Sequence, residues 1–399
     1  MDTTGTPNGA VADGSAHILV VDDVEANRDA LSRRLRRRGF RVTEAAGGRE
    51  ALAFIDRDDY DLVLLDVMMP DVDGLEVLRT VRQTRPPTDL PIIMATAKVE
   101  GEDIVRALEL GANDYVTKPL DFPVVFARVK TQLELRRAVR RALDLEARLR
   151  RDLKAAARIQ ASLLPRGPVT VPGFAFAWAF RPCDELAGDA LNVCRLDDDH
   201  MAFYLLDVSG HGVASALLAV TVTRLLSPAA GQESLLLHSE GGTTHVVPPA
   251  SVADRLALQF PFDPSTEQYF TLAYGVLTVP TGEFRYVSAG HPPAVHVPRD
   301  AAARYLDATG LPVGFGAGYE EHVFPLAPGD RLYLYSDGVP EAMNPAGEQF
   351  GDERLLAALE RGRGLALGES VAQLETDVLD WCGTAARQDD MSVLAVEAG

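Results

Sequence analysis

At 399 residues, with 47% hydrophobic and 24% charged residues, the chain has the composition of a globular protein and exceeds one ordinary domain. A formal net charge of −19, from 39 basic against 58 acidic residues, argues against a surface built for nucleic acid. No apolar run reaches the roughly 18–20 residues that span a bilayer, the N-terminus lacks a secretory pattern, and three cysteines (Cys183, Cys194, Cys382) are too few for a disulfide framework or a thiolate zinc site, so a cytoplasmic protein without membrane contact is expected.

Residues 1–15, rich in Gly, Thr, Asp and Ala, read as a disordered tail. From residue 16 to 123 short apolar runs alternate with amphipathic stretches. Strands are expected at 18–21, 42–45, 62–65, 92–95 and 115–117, and helices at 28–37, 49–55, 75–82 and 102–110. Five βα repeats in so short a span imply a doubly wound five-stranded parallel sheet, with ligands beyond the carboxyl ends of the strands. Asp22 and Asp23 follow the first strand, Asp66 the third, Thr96 the fourth and Lys118 the fifth, so all five converge on one sheet edge. Clustered carboxylates need a compensating cation, and an all-oxygen set prefers Mg²⁺. With Mg²⁺, an ammonium and a hydroxyl around it, Asp66 is equipped as a nucleophile toward a phosphoryl group. Isolated N-caps and turn residues would not be expected to converge in this way.

These positions, with Val21-Asp22-Asp23, Leu65-Asp66-Val67-Met68-Met69-Pro70-Asp71-Val72-Asp73-Gly74, Ala95-Thr96-Ala97 and Tyr115-Val116-Thr117-Lys118-Pro119, resemble the receiver domain of two-component response regulators. The resemblance implies that a sensor histidine kinase phosphorylates Asp66. It further implies that Asp22, Asp23, Asp66 and the Met68 carbonyl hold Mg²⁺, that Thr96 and Lys118 clasp the phosphoryl oxygens, and that Tyr115 is the switch aromatic.

Residues 124–164 form a long helical pattern free of Gly and Pro. Leu135, Ala138, Ala142, Leu145, Leu149, Ala156, Ile159 and Leu163 recur at spacings of three and four, with Asp152 the one polar seam position. Between Arg128 and Arg158 eleven basic and four acidic residues give +7, a basic connector between two acidic blocks. The pattern is that of a coiled-coil linker helix, hence a homodimer through residues 128–163. A single amphipathic helix packed on its own domain is the alternative.

Residues 165–399 change character. Strand-like runs at 174–180, 201–206, 270–279, 283–288, 331–335 and 392–396 are punctuated by Gly and Pro, with helices near 214–226, 252–260, 353–359 and 371–381. An α+β domain with two packed antiparallel sheets flanked by helices is expected, and 228–249 reads as a surface loop. Its acids sit beside glycines or strands: Asp189 after Gly188, Asp207 before Val208-Ser209-Gly210-His211-Gly212, Asp337 before Gly338, and Asp389-Asp390 before Met391. Each motif alone is ordinary turn chemistry. Together, four or five carboxylates without a matching basic cluster call for two Mn²⁺ or Mg²⁺ ions, which would acidify a water for attack on a phosphoester.

Their order and spacing resemble the metal-dependent serine/threonine phosphatases of type 2C, in the bacterial subgroup of sporulation and stress-response phosphatases. Arg158-Ile159-Gln160-Ala161-Ser162-Leu163-Leu164-Pro165, Ser288-Ala289-Gly290-His291-Pro292 and Tyr335-Ser336-Asp337-Gly338-Val339-Pro340-Glu341-Ala342 also fit. The resemblance implies metal ligation by Asp189, Asp207 with the Val208 carbonyl, Asp337 and Asp389, and attack by water without a covalent intermediate. It suggests a phosphorylated anti-sigma-factor antagonist as substrate. Ala187 and Asn192 depart from the family pattern of Gly-Gly-Asp followed by a second Asp. His211 is a candidate proton donor to the leaving oxygen, with loop packing the equal alternative, and His291 is read as shaping a turn. The combined expectation is a response regulator whose receiver controls a phosphatase. The rival is a weak or inactive adaptor that binds a sigma factor or anti-sigma partner.

Overall fold

The computed structural model describes residues 16–96, 101–165, 167, 169–229, 234–240, 243–265, 267–307 and 310–399. The expected tail at 1–15 lies outside them. Two units divide the chain between Arg148 and Leu149.

In the first unit β1 (His17–Val21), α1 (Glu25–Arg37), β2 (Arg41–Ala45), α2 (Gly48–Arg57), β3 (Leu62–Asp66), α3 (Gly74–Arg82), β4 (Ile92–Thr96), α4 (Gly101–Glu109) and β5 (Asp114–Thr117) alternate. The strands form a parallel sheet in the order β2-β1-β3-β4-β5. β3 and β4 are buried along their whole length, which is why they read as unbroken apolar runs, whereas edge strand β2 buries only Ala45. Asp73 starts α3 by accepting the Glu76 N–H at 2.8 Å. α5 (Phe122–Ala161) begins two residues before the expected helix and runs for 40 residues. Val125, Val129 and Leu133 anchor its start in the core, while Arg136 ties it to the Asp89 carbonyl at 2.7 Å and to Asp61.

The second unit contains β6 (Thr170–Val171), β7 (Phe174–Arg181), β8 (Ala190–Arg195), β9 (His200–Val208), α6 (Val213–Leu225), β10 (Leu237–Glu240), β11 (Thr243–Val246) and α7 (Pro249–Gln259). There follow β12 (Phe270–Thr278), β13 (Glu283–Ala289), β14 (Val295–Val297), β15 (Arg304–Tyr305), β16 (His322–Pro325), β17 (Arg331–Tyr335), α8 (Gly351–Arg361), α9 (Leu367–Cys382) and β18 (Met391–Ala398). Two sheets, β16-β13-β12-β9-β8 and β15-β14-β17-β18-β7-β6, are antiparallel throughout. Their facing surfaces share one core, in which Phe176, Phe203, Phe284, Leu334 and Leu394 are buried. The outer face of the first sheet packs with α6 and α7, and that of the second with α8 and α9. The stretch read as a loop at 228–249 instead carries the β10–β11 hairpin. Leu236 and Val247 bury at its base, and its Gly and Ser content had masked the short alternating strands.

No helix among the described residues is long and apolar enough to cross a membrane.

Candidate functional site

At the carboxyl edge of the first sheet, carboxylate oxygens of Asp22, Asp23 and Asp66 lie within 4.8 Å of one another. Asp22 and Asp66 are buried and Asp23 is exposed. Lys118 Nζ donates to Asp66 Oδ2 at 2.7 Å and to Asp22 Oδ2 at 2.9 Å, so one ammonium bridges two of the three carboxylates. Burial raises the Asp66 pKa, and the Asp22 charge adds to this against the opposing pull of Lys118 and the Met68 N–H. Burial disfavours the Lys118 ammonium, yet its bonds to Asp66 and Asp22 prevail and raise its pKa. A clustered oxygen set with net negative charge fits a hard divalent cation.

Gly74 is required here, because a Cβ on it would stand 2.1 Å from the Asp66 carbonyl. Thr96 ends β4 and is buried. Tyr115 lies on β5 with the Arg128 guanidinium 5.4 Å from its ring centroid. Met68 is 72% exposed.

The second cluster forms where one end of each sheet in the second unit carries acids. Asp189 precedes β8 and Asp207 closes β9, while Asp337 follows β17 and Asp389 precedes β18. Asp189 is only 1% exposed, and its Oδ2 and Asp337 Oδ1 are buried without a hydrogen-bond partner. Burial first, then the charges of Asp207 and Asp390, hold Asp189 well above the carboxylate range, against the opposing pull of the Ser392 and Ser336 hydroxyls. Burial and the nearby Asp337 and Asp389 charges push Asp207 to about 8. Burial, Asp389 and Glu341 push Asp337 to about 6, and burial also raises Asp389. Four mutually repelling carboxyls, two of them with an orphaned oxygen, form a donor set that fits divalent cations. Beside Asp389 opens a cleft of about 230 Å³ lined by Gly338, Glu341, Met343, Arg387 and Gln388 among others.

The loop carrying Asp189 is held from two sides. Asp390, whose partner in the doublet is Asp389, turns inward and accepts the N–H groups of Cys183 at 2.8 Å, Gly188 at 2.7 Å and Asp189 at 3.3 Å. Gln160, in the last turn of α5, clasps Ala187: its Nε2 donates to the Ala187 carbonyl at 2.7 Å and its Oε1 accepts the Ala187 N–H at 3.1 Å. A Cβ on Gly188 would come within 2.9 Å of the Val208 carbonyl, so glycine lets these two segments meet.

Sequence reasoning did not assign the anchoring to Asp390. The available signal was strand alternation, which points adjacent acids at a strand start to opposite sides. Asn192 lies away from the cluster, on β8 opposite Tyr204, where its Oδ1 accepts the Val193 N–H. His211 is exposed, 3.4 Å from Asp184. His291, expected only to shape a turn, is buried and shares a 2.8 Å hydrogen bond with Thr271.

The family model for the response regulator receiver domain matches residues 18–130, and that for stage II sporulation protein E (SpoIIE) matches residues 197–399. The regulatory protein VanRc of Enterococcus gallinarum is 44% identical over 119 residues, 30% of this chain and 50% of that protein. The response regulator PleD of Caulobacter vibrioides is 39% identical over 137 residues, 34% of this chain and 30% of that protein. The chain thus spans half or less of the length of these curated relatives. The solved SiaA-PP2C domain of Pseudomonas aeruginosa shares the fold, with a TM-score of 0.53 at 18% identity over 64% of this chain and 99% of that one. With a receiver domain ahead of it and its last 203 residues matched by the family model, the chain belongs to the stage II sporulation protein E (SpoIIE) family.

Proposed function

We propose that this chain is a response regulator in which phosphorylation of Asp66 controls a metal-dependent phosphoserine/phosphothreonine protein phosphatase. The observation that carries the reading is the second cluster: Asp189, Asp207, Asp337 and Asp389 at adjoining sheet ends, with raised pKa values and with unpaired oxygens on Asp189 and Asp337. A structural network would pair those oxygens. An adaptor that had lost catalysis would have no need to retain four such acids.

Two Mn²⁺ or Mg²⁺ ions, when bound, supply Lewis-acid charge and lower the pKa of water. Asp189, Asp207 with the Val208 carbonyl, Asp337 and Asp389 would hold them. Hydrolysis of the phosphoester by water would then need no covalent enzyme intermediate. His211, exposed and 3.4 Å from Asp184, is the candidate proton donor to the leaving oxygen. In the receiver, Asp22, Asp23, Asp66 and the Met68 carbonyl would hold Mg²⁺ while Thr96 and Lys118 neutralise the phosphoryl oxygens and Tyr115 responds.

Acting in the cytoplasm, the chain would take its phosphate from a sensor histidine kinase, and a phosphorylated anti-sigma-factor antagonist is the proposed substrate. Leu135, Leu145, Leu149 and Ile159 of the α5 seam are each more than half exposed in the single chain, which supports a homodimer through residues 128–163. Coupling would run through the end of α5, since Gln160 grips the residue two before Asp189.

The test is hydrolysis of p-nitrophenyl phosphate and a phosphoserine protein with Mn²⁺, comparing wild type, Asp337→Asn and Asp66→Asn with and without acetyl phosphate. Activity abolished by EDTA and by Asp337→Asn, and shifted by acetyl phosphate only when Asp66 is present, is expected. Activity that survives Asp337→Asn refutes the phosphatase assignment, and equal rates with and without acetyl phosphate refute the coupling.

A further inference from the structure

The Ser288-Ala289-Gly290-His291-Pro292 segment has no role in the chemistry above, yet it occupies the one place where β13 of the first sheet connects to β14 of the second. The crossing is tightly built. Gly290 adopts φ +69°, a Cβ on it would meet Pro312 at 2.6 Å, and Ser288 Oγ donates to the His291 carbonyl at 3.0 Å. The imidazole is thereby fixed inside the protein, 5% exposed.

Its two neighbours each lead to an acid of the second cluster. Nδ1 lies 2.8 Å from Thr271 Oγ1. Thr271 is paired directly opposite Asp207 in the β9–β12 ladder, and opposed residues of an antiparallel pair project on the same face. On its other side Nε2 faces toward the Tyr335 main chain, two residues before Asp337, without a formed hydrogen bond. Nε2 has no well-formed hydrogen bond, and the tautomer with its proton there leaves Nδ1 free to accept the Thr271 hydroxyl. Burial pushes the ring pKa down to about 3, so it is neutral at working pH.

We propose that His291 is a positioning residue: a brace between the two sheets that sets the separation of Asp207 from Asp337 and so tunes the affinity of the second cluster for divalent cations. It touches neither ligand. It acts through Thr271 on one side and the β17 end on the other, as partners behind metal ligands commonly do. The inference rests on the reading of those acids as metal ligands.

The test is calorimetric titration of Mn²⁺ into the metal-free full-length chain. Asp23 and Asp66 are changed to Asn in every sample, so that the receiver does not contribute. The parent is compared with His291→Phe, His291→Gln and Thr271→Val, each with its metal-free melting temperature. Thr271→Val breaks the same contact from a partly exposed position, so it decides the matter should the His291 variants not fold. His291→Phe and Thr271→Val are expected to weaken Mn²⁺ binding roughly tenfold or more. His291→Gln, whose amide can both accept from Thr271 and donate toward Tyr335, should stay close to the parent. Melting temperatures that fall while Mn²⁺ affinity is unchanged in the Phe and Val variants would reduce His291 to a packing residue and overturn the brace. No Mn²⁺ binding by the parent itself would overturn the ligand assignment and the brace together, a result distinct from unchanged affinity in the variants.

Discussion

Replacing Asp207 with asparagine should make the metal-free protein more stable while abolishing its response to Mn²⁺. Moving a carboxyl from its ordinary 3.8 to about 8 corresponds to about 5–6 kcal/mol at full ionisation, at 1.36 kcal/mol per factor of ten. Asparagine removes the charge but leaves a buried amide whose desolvation costs about 1–3 kcal/mol, so the net gain expected near pH 8 is roughly 2–4 kcal/mol. For a unit of this size that is about 5–10 °C in melting temperature. The pH window follows from the raised pKa. A carboxyl that is harder to ionise in the folded state favours folding fully below about pH 4, and that contribution is lost as pH rises through about 8. The advantage of Asp207→Asn should therefore be small at pH 4–5 and grow toward pH 8. Added Mn²⁺ stabilises only the protein that binds it, by about 2.7 kcal/mol at 100 times its Kd and about 4.1 kcal/mol at 1,000 times, so the order should close at the first concentration and reverse at the second. Thermal melts of both proteins at pH 5 and 8, with EDTA or Mn²⁺, give the four comparisons. A variant no more stable than wild type at pH 8 in EDTA would refute the claim that repulsion and burial strain this cluster.

Two further outcomes follow from the loop that carries Asp189. Gln160→Leu keeps the side chain's bulk but removes both hydrogen bonds to Ala187; phosphatase activity should fall at least tenfold at limiting Mn²⁺ and recover partly at saturating Mn²⁺, as read from metal-titrated rates. Asp390→Ala strands three N–H groups and should lower stability by roughly 2–4 kcal/mol in urea denaturation, whereas Asp389→Ala releases only the Asp390 N–H and removes a repelled carboxylate, so it should cost far less while still eliminating activity.

The parallel sheet was legible because β1, β3 and β4 are buried on both faces and must be continuously apolar, and because each of their acids falls at a strand end. Strand β8 was harder to see. Asn192, Cys194 and Arg195 break its apolar pattern, and its place is fixed by pairing with β9 rather than by its own composition. The short β14, β15 and β16 depend similarly on long-range partners. Family motifs identified Asp189, Asp207, Asp337 and Asp389, but not the support beneath them. Gln160 and Asp390 act on main-chain groups, and a bond to a peptide N–H leaves no mark in the identity of the residue that receives it.

The Gly188–Asp390 hydrogen bond joins positions 202 residues apart, and β18, which follows Asp390, sits in the middle of its sheet between β17 and β7. The site therefore has no local precursor. A chain that has laid down β7 through β17 still lacks the strand that closes the sheet and the acid that gathers the Asp189 loop. On the proposed reading, metal capture is thus tied to completion of this unit: tight Mn²⁺ binding should report finished folding, and partly folded chains should be silent rather than weakly active.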